Sequence, residues 1–241
     1  KQGKPPVRAS DRTTGVDRDP GDVTAPATPQ RASSSQSARS RRYVSVVSAM
    51  MGEMRETVVL LHGFAGTGRG WDPVVARLDA QRYTALTPDQ RGHGARAGAR
   101  PITFDTVAAD VLALAPERFA LCGYSMGGRI ALHVALAAPE RITHLTLVAT
   151  TAGIDDEQAR ARRRADDAAL AQAIEEEGLE AFAERWLAQP LFADDPPAAQ
   201  TLARADIVRN DPAGLAQALR GIGTGAMEPL WDRPGAPDMP A

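Results

Sequence analysis

Hydrophobic residues in this chain come in short runs that end at a glycine or a polar residue. Between the runs lie stretches with apolar residues at helical spacing, at 71–78, 104–115 and 128–138. Strand and helix alternating in this way predict crossover units, and therefore an α/β fold with a mainly parallel sheet and helices on both faces. The predicted strands, rich in leucine, alanine and β-branched residues, are "TVVLLHG" (57–63), "YTALTPD" (83–89), "FALCGYS" (119–125) and "ITHLTLVAT" (142–150).

The pattern becomes mostly helical after Thr151. Alanine, glutamate and arginine recur at helical spacing, with interruptions at Gly178 and Pro190, and two more helical stretches follow at 197–208 and 212–220. We interpret 152–232 as a helical cap that follows a first core segment.

The first 49 residues have a different composition. They are rich in proline, serine, threonine, arginine and glutamine, and they hold nine basic residues against four acidic ones. With almost no large apolar side chains, such a segment cannot bury enough surface to offset its ordering entropy. We therefore predict a disordered, solvated basic tail at 1–49, followed by the first part of the core at 50–151.

Overall composition narrows the class of protein. The chain has 241 residues, 43% of them hydrophobic, and 28 basic residues against 30 acidic ones, so no charge excess favours a nucleic-acid partner. No apolar stretch approaches the roughly 20 residues needed to cross a bilayer, so we expect no membrane partner. The single cysteine, Cys122, lies in an apolar run, and we predict that it is a small buried residue. Together these features predict a cytoplasmic protein.

The segment "GYSMG" (123–127) carries the first candidate chemistry. Ser125 stands between Gly123 and Gly127, where a predicted strand turns into a predicted helix. A nucleophilic serine on such a turn exposes its hydroxyl above the sheet, and the turn closes only if small residues flank it. Chance occurrence in a glycine-containing turn is the alternative to a catalytic role for Ser125.

Two further loops make chance occurrence a poor explanation. "LLHGFAGTGRGW" (60–71) follows the first strand, where serine hydrolases place the second oxyanion-hole donor, and "PDQRGHG" (88–94) follows the next strand. We predict that the backbone N–H groups of Phe64 and Met126 form the oxyanion hole. The order of these loops predicts an α/β-hydrolase fold.

The acid and base of the catalytic triad are expected after the serine in this fold. Only His133 and His144 follow Ser125, and we expect both to pack within their helix and strand. We therefore expect a C-terminally truncated core, in which 233–241 begin the return to the core and the triad acid and base lie further on.

The cap sequence indicates a particular family. The stretches "ARRRADDAALAQAIEEEGLEAFAERWLAQPLF" and "RNDPAGLAQALRGIGTGAMEPLW", with "LLHGFAGTGRGWDPV" and "GYSMGGRIAL", resemble the 2-succinyl-6-hydroxy-2,4-cyclohexadiene-1-carboxylate synthase family over about 55–233. The resemblance implies a carbon–oxygen lyase of menaquinone biosynthesis that eliminates pyruvate from 2-succinyl-5-enolpyruvyl-6-hydroxy-3-cyclohexene-1-carboxylate. It also implies a serine triad that starts proton abstraction, with no metal or organic cofactor.

That substrate carries several carboxylates, for which guanidinium groups are well-suited partners. Arg129 lies one helical turn after Ser125 and matches an arginine that the family uses on substrate. Arg162 in the cap matches another, although Arg163 or Arg164 takes the role if the register differs. The remaining positions that match substrate-facing residues are Tyr124, Trp186 and Arg209.

Other interpretations stay open. The cap arginines fit a solvated helix face that pairs with Asp166 and Asp167, and Trp186 fits the core of the cap. The same scaffold supports a carboxylesterase or a carbon–carbon bond hydrolase, since a fold does not fix a reaction. A non-catalytic fragment that binds polycarboxylates is a third possibility. The sequence does not indicate an oligomeric state.

Overall fold

A computed structural model describes residues 55–233. Four strands alternate with three α-helices in the first part of this range, and three more α-helices follow the last strand, as the hydrophobic pattern predicts. The strands are β1 (Glu56–Leu61), β2 (Tyr83–Leu86), β3 (Phe119–Tyr124) and β4 (Ile142–Val148). The helices are α1 (Asp72–Val75), α2 (Phe104–Leu114), α3 (Met126–Ala137), α4 (Glu157–Leu187), α5 (Pro197–Ile207) and α6 (Pro212–Ile222). Short 3-10 helices lie at Gly68–Trp71, Gly94–Arg96, Pro139–Arg141, Pro190–Phe192 and Thr224–Ala226.

The four strands form one parallel sheet in the order β2-β1-β3-β4, which confirms the predicted α/β class. In the register, Val59 of β1 lies opposite Leu86 on one side and Leu121 on the other. The apolar runs of the two central strands supply buried side chains, namely Val59, Leu60 and Leu61 of β1 and Phe119 and Leu121 of β3. Because carboxyl ends of parallel strands share one edge, the loop after β1 and the turn after β3 lie side by side.

Helix α3 packs its apolar face on the sheet and lies against α2. Ile130, Ala131 and Val134, at three- and four-residue spacing, are fully buried. The start of α2 is fixed by Thr103, whose hydroxyl accepts the Thr106 N–H while the Thr106 hydroxyl accepts the Thr103 N–H.

The cap segment has its own apolar core. Ile174, Phe182, Ile207 and Leu215 belong to a second buried cluster, separate from the one beneath the sheet. Helix α6 contributes to both clusters, with Leu215 in the cap and Ile222 in the sheet cluster, and so joins the two layers. Its first turn is capped by Asp211, which accepts the Gly214 N–H at 2.7 Å.

Helix α4 is kinked at Gly178, where the sequence predicts an interruption. Gly178 has φ 79° and ψ 175° inside the helix, a region of backbone space almost restricted to glycine. The interruption at Pro190 is also observed, since α4 ends at Leu187 and a 3-10 turn begins at Pro190.

Some details differ from the sequence prediction. The helix predicted at 71–78 is regular only over α1, because the N–H groups of Arg77 and Leu78 bond three residues back as in a turn. Helix α3 begins at Met126 rather than at 128, directly after the serine turn. Cys122 is half-buried.

The predictions for the tail at 1–49, for 50–54 and for 234–241 fall outside the described residues. No helix between 55 and 233 combines the length and apolar character that a membrane span requires.

Candidate active site

Ser125 occupies a strained turn between β3 and α3. Its φ of 51° and ψ of −112° are unusual for a residue with a side chain. Neighbouring bonds hold this conformation: the Ser125 N–H donates to Val148 O at 2.9 Å, and the Thr150 hydroxyl donates to Ser125 O at 2.8 Å. Strain of this kind persists only where the surroundings fix the backbone, and it is concentrated at functional sites.

The flanking glycines are required by close backbone approach. A Cβ atom at Gly127 would lie 2.2 Å from Leu61 O and 2.7 Å from His62 O. One at Gly123 would lie 2.4 Å from Gly127 O. Glycine at 127 lets the turn pack against the end of β1, and glycine at 123 lets the end of β3 approach the first turn of α3.

Two buried histidines shape the loop after β1. His62 donates from Nδ1 to Gly63 O at 2.9 Å and accepts the Gln90 N–H on Nε2 at 3.1 Å. His93 pairs through Nδ1 with Arg91 O at 3.2 Å and accepts the Ala65 N–H on Nε2 at 3.3 Å. The carbonyl partners place the proton on Nδ1 in both neutral rings.

Burial keeps both rings neutral. Desolvation lowers the pKa of His62 and, more strongly, that of His93. The proximity of His62, whose ring centroid lies 5.0 Å from that of His93, lowers the pKa of His93 further. The two imidazoles are thus hydrogen-bonding supports of the loop.

The two predicted oxyanion donors have free N–H groups. Neither the Phe64 N–H nor the Met126 N–H donates a hydrogen bond to another of the described residues. Phe64 immediately precedes Ala65, whose φ of 62° lies in the left-handed region. This arrangement leaves both N–H groups available to an anionic oxygen, as the predicted oxyanion hole requires.

Aromatic side chains join the cap to this loop. Trp186 of α4 packs on Phe64 with ring centroids 5.6 Å apart, and on Phe182 at 5.4 Å. Trp186 thus contributes to the cap core and also contacts the loop. Tyr124, 38% exposed, contacts the same loop at Gly63, where a Cβ would lie 2.8 Å from its Cδ1.

Arg129 is a buried cation with spare hydrogen-bonding capacity. The residue is only 7% exposed, and its Nη2 donates to Ile222 O at 3.3 Å. Its Nε is buried and has no partner among residues 55–233. Desolvation, together with the positive charge of Arg163, lowers the pKa of Arg129 to about 10, although Asp167 opposes the shift. A buried guanidinium whose Nε has no partner among the described residues is suited to binding an anion.

Among the three candidate cap arginines, Arg163 lies near Arg129. Arg163 donates from Nε to Asp167 Oδ1 at 2.8 Å, and its charge acts on Arg129. Arg162, Arg163 and Arg164 are all exposed, and Arg164 donates to Gly225 O at 3.0 Å. Of the three, Arg163 is the one whose charge contributes to the pKa of Arg129, so it stands beside the predicted Arg162 as a candidate for the substrate-facing role.

Arg209, predicted to face the substrate, lies beside Asp206. Its side chain is exposed, and its Nη1 lies 3.8 Å from Asp206 Oδ1. Asp206 itself is a functional candidate that sequence reasoning missed. It accepts the Thr67 N–H at 2.7 Å and the Thr67 hydroxyl, across 139 positions of sequence. No local motif marks this carboxylate, so only the fold could reveal the pairing.

The two histidines after Ser125 do not contact it. His133 stacks on Phe104 with centroids 4.2 Å apart and pairs through Nδ1 with Arg129 O, as a packing residue does. The packing role predicted for His144 is wrong: its side chain is 78% exposed, and its Nδ1 lies 3.5 Å from Glu56 Oε1.

Within residues 55–233, no imidazole or carboxylate bonds to the Ser125 hydroxyl, and no His, Cys, Asp or Glu cluster could hold a metal. A groove of about 660 Å³ lies between α2, α3 and the segment after α6, but no predicted site residue lines it.

Known proteins resemble the chain in sequence and in structure. Residues 58–239 match the model of the alpha/beta hydrolase family. A Bacillus subtilis (strain 168) protein named as a 2-succinyl-6-hydroxy-2,4-cyclohexadiene-1-carboxylate synthase is 36% identical over 195 residues, 77% of this chain and 70% of the relative.

Two further matches are informative. The structure of MenH from S. aureus superimposes with a TM-score of 0.68 at 32% identity, covering 74% of this chain and 70% of that chain. A pimeloyl-[acyl-carrier protein] methyl ester esterase of Aliivibrio salmonicida (strain LFI1238) is 43% identical over 94 residues, 39% of this chain and 36% of the esterase.

Proposed function

The chain belongs to the alpha/beta hydrolase family and, within it, to the 2-succinyl-6-hydroxy-2,4-cyclohexadiene-1-carboxylate synthase family, and from this premise we propose that it serves the lyase reaction of that family. The reaction eliminates pyruvate from 2-succinyl-5-enolpyruvyl-6-hydroxy-3-cyclohexene-1-carboxylate, and it gives the cyclohexadiene of menaquinone biosynthesis.

The observation that carries this proposal is the buried guanidinium of Arg129. It lies four residues after Ser125 on α3, and its Nε is unpartnered among the described residues. Arg163 adds a second positive charge nearby, enough to lower the pKa of Arg129. Two neighbouring cations suit a ligand with several carboxylates, whereas a neutral ester would leave the desolvation of Arg129 uncompensated.

The proposed chemistry divides among these groups. A base, acting with Ser125, takes a proton from a ring carbon. The freed electron pair forms a new ring double bond, the existing ring double bond shifts by one position, and the carbon–oxygen bond to the enolpyruvyl group breaks. The leaving enolpyruvate then gains a proton on carbon and becomes pyruvate. The N–H groups of Phe64 and Met126 would stabilise negative charge on an oxygen in the transition state. The carboxylates of the substrate would bind Arg129 and Arg163.

Pyruvate release by the protein expressed from its complete gene tests this proposal. We expect pyruvate from the enolpyruvyl substrate, abolished in Ser125→Ala and strongly weakened in Arg129→Gln. Arg77→Gln, at an exposed position in the turn after α1, is the matched control and should retain the wild-type rate. Substrate turnover without pyruvate would contradict the proposal.

Ester hydrolysis is the second candidate, favoured by the similarity to the methyl ester esterase over 94 residues. The serine turn and the loop after β1 suit both reactions. Turnover of p-nitrophenyl acetate separates them, since an esterase would hydrolyse it rapidly and release no pyruvate from the enolpyruvyl substrate. Binding of a tricarboxylate with neither activity would instead indicate a binding protein.

A further inference from the structure

Two side chains at the end of α5 hold the loop that carries Phe64. Asp206 accepts the Thr67 N–H and the Thr67 hydroxyl. Asn210 donates from Nδ2 to Ala65 O at 2.9 Å and accepts the Gly94 N–H on Oδ1 at 2.9 Å. Both side chains belong to the cap, so the cap directly fixes the backbone on the C-terminal side of Phe64.

The loop needs such support. Ala65 has a φ of 62°, and a residue with a side chain loses roughly 1–2 kcal/mol in the left-handed region. Its N–H is bound by His93 and its carbonyl by Asn210, so both peptide groups of Ala65 are held. Asn210 thereby holds the peptide that carries the Gly66 N–H, which donates to Gly63 O at 3.1 Å. Because Gly63 O and the Phe64 N–H belong to one planar peptide, these bonds also restrict the direction of the Phe64 N–H.

The burial and the hydrogen bonds of Asp206 indicate that this residue does more than join the cap to the sheet. The residue is 7% exposed, and burying a carboxylate is costly unless it is well bonded. Two donors from Thr67 and the guanidinium of Arg209 at 3.8 Å compensate its charge. Charge-assisted bonds to a backbone N–H are short and directional, and therefore restrict the position of a loop more than apolar contacts do.

We propose that Asp206 and Asn210 are positioning residues that aim the Phe64 N–H into the oxyanion hole from the cap. The inference rests on the proposed function only in that Ser125 is the reacting group beside that hole. In this proposal the cap does more than recognise the ligand. The oxyanion hole stabilises negative charge fully only when α5 is docked on the loop after β1.

The hydroxyl of Thr67 gives the sharpest test. Thr67→Val removes the donor to Asp206 at nearly constant volume, whereas Thr67→Ser keeps it. We expect kcat for pyruvate release to fall about ten-fold in Thr67→Val with KM nearly unchanged, since losing a donor outright costs roughly 10²–10³. Thr67→Ser should restore kcat. Thr201→Val is the control, because Thr201 is exposed on α5, the helix that carries Asp206, and its hydroxyl bonds only Pro197 O.

A second readout does not depend on the substrate. The rate at which a fluorophosphonate labels Ser125 depends on the same hole, because the phosphoryl oxygen occupies it. We expect labelling to slow in Thr67→Val, Asp206→Asn and Asn210→Ala, with amide exchange at Phe64 and Ala65 faster than in wild type. If Thr67→Val fails to fold, Asp206→Asn and Asn210→Ala decide the question.

The outcomes separate the two proposals. Without pyruvate release by wild type, the lyase proposal fails and the labelling series alone decides the positioning role. Unchanged labelling and kcat in the folded variants would overturn the positioning role, as would a rise in KM at constant kcat. If wild-type Ser125 neither supports pyruvate release nor reacts with the fluorophosphonate, both proposals are overturned.

Discussion

The indole of Trp186 packs on the ring of Phe64 with centroids 5.6 Å apart and planes at 73°. One residue belongs to the kinked cap helix α4 and the other to the loop after β1, so the contact joins the cap to the predicted oxyanion donor. Phe182 extends the contact into the cap core, with its ring 6.2 Å from that of Phe64.

Removal of this indole should weaken both stability and activity. We expect Trp186→Ala to lower the free energy of unfolding by about 2 kcal/mol, because Trp186 is half-buried and full burial would cost more. Urea unfolding measures the change, and kcat should fall as the Phe64 loop loosens. Leu202→Ala, at a position 60% exposed, should leave both values unchanged. Equal losses in the two variants would contradict this account.

The serine turn should not tolerate a methyl group. In Gly127→Ala the new Cβ would meet Leu61 O at 2.2 Å, so β1 and α3 must separate. Overpacking of this kind costs about 1–3 kcal/mol, and it would also displace Ser125. We expect a lower midpoint of thermal unfolding and slower fluorophosphonate labelling. Gly98→Ala provides the comparison, since nothing lies within 4 Å of a Cβ there. A Gly127→Ala protein as stable as Gly98→Ala would show that the turn is looser than described.

Arg129→Met should change stability and ligand binding in opposite directions. Burial lowers the pKa of Arg129 to about 10, and each pKa unit corresponds to about 1.4 kcal/mol by which folding disfavours the charged form. We expect the apolar variant to be more stable by about 1–3 kcal/mol and to lose affinity for a tricarboxylate ligand. Urea unfolding and calorimetric titration measure the two effects. A variant that is both less stable and fully able to bind would refute the assigned role.

Mild acid should destabilise the fold through the buried histidines. The pKa values of His62 and His93 are lowered by burial, so the unfolded chain binds protons near pH 6.5 while the folded chain does not. The full stability is therefore present above pH 6.5. It is lost as the pH falls, by at most about 1.4 kcal/mol per pH unit for each histidine, and His93, whose pKa is lowered more strongly, contributes more of this slope than His62.

Unfolding in urea at several pH values between 7 and 5 measures this slope. His93→Gln should make it shallower, whereas His144→Gln, at an exposed position, should leave it as in wild type. An identical slope in all three proteins would mean that His93 does not stay neutral in the folded state.

The predictable parts of this molecule are those with local sequence signals. Glycine-terminated apolar runs locate the sheet, and "GYSMG" places Ser125 at the strand-to-helix turn because steric demands at that turn are local. The bond between Asp206 and Thr67 joins residues 139 positions apart, and no spacing rule links them. The choice among Arg162, Arg163 and Arg164 likewise depends on the rotation of α4 over Arg129, which packing determines.

The direct bonds from Asp206 and Asn210 to the loop after β1 limit how freely this scaffold can be recombined. A chimaera that receives the cap of a relative would inherit that relative's ligand preference. If the grafted cap lacked a carboxylate at position 206 and a side-chain amide at position 210, the loop after β1 would lose these bonds. The chimaera would then bind the new ligand but turn it over slowly.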